Sequence, residues 1–286
     1  MQNSITIKQL LAESSPVDRH TRQQWLLHCL NQPLGYLISH GDDTLSDKVL
    51  ANYRAGLAQL AQDIPLAYVI GKQAFWRHEF LVNEHTLIPR PDSERLVETV
   101  LDVLNNPKNS LSKNHTNQPK QLLDLGTGSG CLAISLALEL PDWQVTAVDI
   151  STDALQVAQQ NVTALQANNV TLRQGSWFAS FAAMPSPPQF EVIISNPPYI
   201  AADDTHLAQL HAEPLRALVA ADNGLADIAH IIKHSRGFLV AHGLLAFEHG
   251  YQQGGAVRKL LAEAGFDAIQ TVRDYGDNER VTFGFA

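Results

Sequence analysis

From Gln121 to Leu165 short apolar runs alternate with stretches of helical period, and this alternation constrains the fold more than any other feature of the chain. Gln121 to Leu125 reads as a strand, Cys131 to Leu140 as a helix, Gln144 to Val148 as a strand and Thr152 to Leu165 as a helix. A repeated strand–helix order implies a parallel sheet with right-handed crossovers. Further along, Leu244 to Glu248 predicts a strand and Gly254 to Ala264 a helix. Ala268 to Val272 with Arg280 to Phe285 predicts a closing strand pair, antiparallel because only a short turn separates them. Open α/β sheets bind ligands outside the carboxyl ends of their strands, so chemistry is sought where these runs stop.

The first strand stops at Asp124-Leu125-Gly126-Thr127-Gly128-Ser129-Gly130. Glycines allow a tight turn and a close approach of backbone to ligand. The spacing is G-x-G-x-G; Cys131 stands where the dinucleotide fingerprint has its last glycine, and no Walker lysine follows. The second strand ends in Asp149, about 20 residues on, where an acid can accept both hydroxyls of a ribose. Asp124 is available to orient an ammonium group. Together these features favour S-adenosylmethionine over NAD, with Gly126, Thr127, Gly128, Ser129, Gly130 and Asp149 as candidate cofactor-binding residues. Trp177 and Phe178 follow a third strand, Thr171 to Arg173, and can flank an adenine; taken alone, such a pair is more often core packing.

The apolar run Phe190, Val192, Ile193, Ile194 ends in Ser195-Asn196-Pro197-Pro198-Tyr199. Two prolines cannot donate to a ladder, so pairing stops and Asn196 and Tyr199 are presented at the strand's carboxyl edge. A planar NH2 group can be gripped there by the Asn196 side-chain oxygen and the Pro197 carbonyl, with Tyr199 as a flat wall. Binding both hydrogens returns electron density to the nitrogen and aims it at an electrophile. An ordinary strand end with a proline turn would explain the motif in isolation. Its company on neighbouring strands argues for methylation of a weakly nucleophilic nitrogen, with Asn196 also near the cofactor.

The first 62 residues have helical spacing broken by turns at Ser14-Ser15-Pro16, Asn31-Gln32-Pro33 and Gly41-Asp42-Asp43, with Asp18 and Ser46 as helix caps. They predict a small all-helical domain over 1–72, followed by a catalytic domain over 73–286 whose 73–90 segment is a hairpin or linker. Arg90, between Pro89 and Pro91, sits on a stiff segment and is a candidate substrate contact. Asn105 to Lys120 reads as a surface insertion, and Met184 to Pro188 as a second loop. The net charge of −9 offers no general attraction to a phosphate backbone. Cys29 and Cys131 lie in apolar surroundings and read as small core residues. His230 and His234 lack the glutamate of an H-E-x-x-H site, so no metal is expected. With neither a leader nor an apolar stretch of membrane-spanning length, a cytoplasmic protein, monomeric and without membrane or stable nucleic-acid partners, is expected.

The chain resembles the PrmC/HemK family, the peptide chain release factor glutamine N5-methyltransferases. The likeness is carried by Pro65-Leu66-Ala67-Tyr68, Leu87-Ile88-Pro89-Arg90-Pro91, Leu123 to Gly130, Ser195 to Ile200, Glu213-Pro214 and Arg273-Asp274-Tyr275-Gly276-Asp277-Asn278-Glu279-Arg280. It runs from about residue 64 to the end. It implies a Rossmann-like class I S-adenosylmethionine-dependent methyltransferase with a seven-strand, mostly parallel sheet. The implied substrate is the glutamine of the Gly-Gly-Gln loop of class 1 release factors, docked by the helical domain. Asn196, Pro197 and Tyr199 would be catalytic, Pro198 would join them in binding substrate, and Trp177 would join the cofactor site. Asn-Pro-Pro-Tyr is shared with adenine N6-methyltransferases of DNA or RNA, which are the alternative. Ser176 stands where the family commonly has an acid, so weaker adenine binding is expected, and the Tyr199–Glu213 stretch is shorter than usual.

Overall fold

The computed structural model describes residues 5–106, 119–182 and 184–286. The insertion read over 105–120 therefore lies, from 107 to 118, outside the described residues. The chain divides into two compact units, Met1–Lys72 and Gln73–Ala286.

The first unit is helical: Ile7–Ala12, Arg19–Leu30, Tyr36–Ser39, Asp47–Leu60 and Leu66–Ile70. Asp18 and Ser46 cap the two long helices by accepting from the backbone amides of Thr21 and Val49. Such caps satisfy amide groups that have no partner inside the helix. Ile7, Leu10, Trp25, Leu26, Tyr53 and Leu60 form its core, and the Trp25 indole donates to the Tyr53 carbonyl at 2.8 Å. Leu34 and Ile38 stay exposed, Ile38 at 90 %.

A hairpin follows, β1 (Lys72–Phe75) and β2 (His78–Leu81). The main sheet contains β3 (Gln121–Leu125), β4 (Gln144–Asp149), β5 (Val170–Gln174), β6 (Phe190–Ser195), β7 (Leu239–Glu248), β8 (Asp267–Arg273) and β9 (Glu279–Phe285). Their order is β5-β4-β3-β6-β7-β9-β8; the first five pair in parallel, and β9 runs antiparallel to both its neighbours. The expected strands and closing pair are all present. β7 starts earlier than its apolar run, because a bend with His242 at φ 62° exposes Ala241 and His242 and hides the first half of the strand from a pattern search.

Period-two alternation distributes the central strands between two cores. Leu122, Val192, Ile194, Leu244 and Ala246 face one layer, with Leu96, Val97 and Val100 of helix Glu94–Asn105 and residues of helix Cys131–Glu139. Leu123, Leu125, Ile193, Leu245 and Phe247 face the other, with Ile228, Ile231, Val257 and Leu261 of helices Ala226–Ser235 and Gly254–Glu263. β3 has β4 on one side and β6 on the other, so the strand order reverses there and leaves a crevice at the carboxyl ends of β3 and β6. Buried Asn161 pins the crevice from behind: its amide exchanges two hydrogen bonds with the Leu81 backbone and donates to the Ser129 carbonyl at 2.9 Å.

Candidate active site

Where β3 ends, the amides of Gly126 and Thr127 both donate to the Val148 carbonyl, at 2.8 and 3.0 Å, turning the chain across the end of β4. Gly126 holds φ at 76°, and a Cβ there would lie 3.4 Å from the Trp177 ring. Backbone alone forms this wall, and its positive φ favours glycine. Asp149 closes β4, accepting from the Gly128 amide at 2.8 Å on one oxygen and from the Ser151 amide at 2.9 Å on the other. Burial raises its carboxyl above the ordinary range, against those amides and the nearby Arg216 guanidinium. Gly126, Gly128, Asp149, Ser176, Trp177 and Asn196 are among the residues lining a cavity of about 500 Å³.

The candidates do not all face that cavity. Thr127 donates its hydroxyl to Asp124 at 2.6 Å, Ser129 is buried, and Gly130 abuts Ile134 and Ala158. These three are absent from the lining and shape the loop from within. Asp124, read as a partner for an ammonium group, is fully buried, and burial pushes its carboxyl up to about 7. The aromatic pair separates: Trp177 lines the cavity while Phe178 stacks on Phe238, ring centroids 4.6 Å apart, in the core.

At the end of β6 the Ser195 hydroxyl donates to the Leu125 carbonyl at 2.6 Å, fastening the two strand ends together. Asn196 follows, its Nδ2 donating to the Ser93 hydroxyl at 3.2 Å. Pro197 is buried and Pro198 lines the large cavity. The Tyr199 hydroxyl donates to Glu248 Oε1 at 3.1 Å. A second, smaller cavity of about 70 Å³ is lined by Leu87, Arg90, Asn196, Tyr199 and Glu248 among others. Asn196 borders both cavities.

Arg90 is already partnered. It forms an ion pair with the buried Glu213, whose other oxygen accepts from the Ile88 amide at 2.9 Å. The pair joins the Ile-Pro-Arg-Pro segment to the stretch after Tyr199. That stretch is fixed further by Ile200, whose backbone bonds to Leu218 and Ala220, and by Gln253, which donates to the Tyr199 carbonyl at 2.9 Å. Asp274, in the turn after β8, accepts from Gly276, Asn278 and Arg280; the Arg280 guanidinium reaches on to Asp92 at 3.2 Å. The charged tail motif is thus a folded turn whose arginine stands behind Asp92-Ser93.

Ser93, Glu248, Arg216 and Asp227 were not singled out by the sequence reading. Glu248 carried a signal: like Asp149, it is an acid closing an apolar strand at its carboxyl end. Asp227 lines the large cavity with Trp177, and burial raises its carboxyl. Ser93 and Arg216 gave no signal, since neither lies at a strand end or in a spaced motif.

Comparison with known proteins adds independent findings. The model described as "Methyltransferase small domain" matches residues 108–225, and "PrmC N-terminal domain" matches residues 5–71. The release factor glutamine methyltransferase of Escherichia coli K12 is 43 % identical over 97 % of this chain and 95 % of its own. That of Vibrio cholerae is 44 % identical over 91 % of this chain and 86 % of its own. Among solved structures, the N-terminal domain of human METTL16 in complex with SAH superposes with a TM-score of 0.52 at 15 % identity, covering 72 % of this chain and 75 % of that one; this likeness is one of fold.

Proposed function

The chain belongs to the family of release factor glutamine methyltransferases, and from that premise we propose that Asn196 grips the glutamine amide whose nitrogen is methylated. The enzyme uses S-adenosylmethionine to methylate a release-factor glutamine. The finer reading places the acceptor at the side-chain N5 of the Gly-Gly-Gln loop of class 1 release factors. The observation that carries it is Asn196 bordering both cavities, the larger of cofactor size and the smaller beside Tyr199.

The larger cavity suits the cofactor. Its wall at Gly126 has no side chain, Asp149 holds its two oxygens ready for ribose hydroxyls, and Trp177 offers a flat face for adenine. Asp227 stands beside Trp177 and, with Ser176, supplies acceptors for the adenine amine. When bound, S-adenosylmethionine supplies a methyl group made electrophilic by a positive sulfur. The chain's own contribution is to orient the acceptor. An amide nitrogen shares its lone pair with its carbonyl, so its hydrogens must be held by acceptors in the geometry that frees that pair. Asn196 Oδ1 and the Pro197 carbonyl hold the NH2 group and Tyr199 packs against the amide plane. As the nitrogen–methyl bond forms and the methyl–sulfur bond breaks, the nitrogen gives up one of its two protons to water. The helical unit docks the release factor.

The test is mass spectrometry of purified class 1 release factors incubated with the enzyme and S-adenosylmethionine, reading the Gly-Gly-Gln peptide. One added methyl on the glutamine is expected. Label appearing on nucleic acid or on another protein, with that peptide unmodified, overturns the substrate assignment.

A further inference from the structure

Two prolines deprive the stretch after β6 of amides that could tie it to a neighbour. Its ends are held instead. The Ser195 hydroxyl fastens the first to the Leu125 carbonyl at 2.6 Å, and at the other the Tyr199 carbonyl accepts from Gln253 Nε2 at 2.9 Å. Gln253 follows β7 and immediately precedes helix Gly254–Glu263. Its Nε2 also donates to the Asn223 carbonyl at 3.1 Å, and its Oε1 accepts from the Gly250 amide at 2.9 Å. All three partners are backbone groups of fixed polarity, so the carboxamide has one orientation and uses both its ends. The Gly250 carbonyl is fixed in turn, accepting from the Gln253 amide at 2.8 Å and from His249 Nδ1 at 2.9 Å. Two glycines let this clasp close. A Cβ on Gly224 would lie 2.7 Å from Gln253 Nε2, and one on Gly250 would lie 3.1 Å from Gln253 Oε1 and 3.6 Å from the Tyr199 ring.

We propose that Gln253 is a positioning residue for methyl transfer: it clasps the Asn-Pro-Pro-Tyr backbone to the loop after β7 and to the 222–224 stretch, and so sets where the Pro197 carbonyl and the Tyr199 ring meet the acceptor amide. This rests on the reading of Asn196, Pro197 and Tyr199 as the amide grip. The rings of Pro197 and Pro198 lock their φ angles, so the backbone between the two fastenings is stiff. A shift at the Tyr199 carbonyl is therefore passed back to the Pro197 carbonyl. Misplacing reacting groups by about an ångström costs roughly a hundredfold in rate. Gln253 lines neither cavity, so its loss leaves the cofactor's own contacts in place. A glutamate of the same shape would keep the bond from the Gly250 amide and turn its other oxygen toward two carbonyl oxygens. Acceptor would face acceptor. A methionine would fill the space and make none of the three bonds.

The experiment measures the single-turnover rate of methyl transfer at saturating release factor, KM for that release factor, and S-adenosylmethionine affinity by calorimetry, for the wild type, Gln253→Glu, Gln253→Met and Asn196→Ala. Expected for both Gln253 variants is a transfer rate lower by about tenfold or more, with KM and cofactor affinity within about twofold of wild type. Gln253→Glu as fast as wild type means that shape and not hydrogen bonding holds the loop, and overturns the proposal. Loss of cofactor affinity or a rise in KM in step with the slower transfer marks a general structural role and also overturns it. Wild-type rates in both Gln253 variants beside an inactive Asn196→Ala overturn the clasp and leave the grip standing. An Asn196→Ala as fast as wild type overturns the grip itself. If Gln253→Met does not fold, Gln253→Glu decides alone.

Discussion

Two aspartates at the ends of adjacent strands have opposite exposures. Asp149 borders the large cavity with both oxygens held by backbone amides, so its geometry is set before a ribose arrives. Asp149→Ala should weaken S-adenosylmethionine binding by at least about tenfold, since hydrogen bonds to a charged acceptor contribute roughly 1.5–3 kcal/mol; calorimetry checks it, and unchanged affinity removes Asp149 from the ribose role. Asp124 is sealed in, with one oxygen on the Thr127 hydroxyl and the other without a partner. Its carboxyl is raised to about 7 against an ordinary 3.8. The folded state therefore holds this proton more tightly than the unfolded chain. The stability this contributes is fully present below pH 4 and is lost as pH rises through about 7. Asp124→Asn should abolish that component: between pH 6 and 8 the wild type should lose melting temperature by roughly a few degrees more than the variant.

Among the elements, the short stretch after Ala220 is closely packed. Asp222, Asn223 and Gly224 have φ of 53°, 55° and 82°, and a Cβ on Gly224 would lie 2.0 Å from the Tyr199 carbonyl oxygen. A side chain there must displace the backbone that carries the Tyr199 ring. Gly224→Ala should lower turnover by about tenfold or more while cofactor affinity changes little, because the site needs its groups placed to within an ångström. Parallel kinetic and calorimetric measurements separate the two. Elements were also the level most legible from sequence. β3, β4 and β6 announced themselves by apolar runs closed by glycine, acid or proline, each of which leaves a mark in one short window. The Ser93–Asn196 hydrogen bond left none, because it joins the turn before one helix to the end of β6, two places far apart in the chain that only the folded sheet brings together. The inward turn of Thr127 and Ser129 was equally hidden, since a loop's residue types do not reveal which of them face the ligand.

At the scale of the whole molecule, the chain divides at Lys72 into two units of different construction. The groups proposed to hold cofactor and acceptor all belong to the sheet unit. Leu34 and Ile38 leave apolar surface uncovered on the helical unit, at 64 % and 90 % exposure. If that unit docks the release factor, replacing both by serine should raise KM for the protein substrate several-fold with little change in kcat or in cofactor affinity; steady-state kinetics with an intact release factor reads this directly. The helical unit was legible as to type because caps and period lie within single helices, whereas a docking face is defined by its partner.

β9 is inserted between β7 and β8, and its first turn-proximal residues supply the Arg280 that pairs with Asp92. During synthesis, β7 emerges long before the strand that must bond to its open edge, and Glu248 waits at its end without that guanidinium. A nascent chain lacking residues 279–285 has its cofactor loop but not the charge that supports the acceptor side.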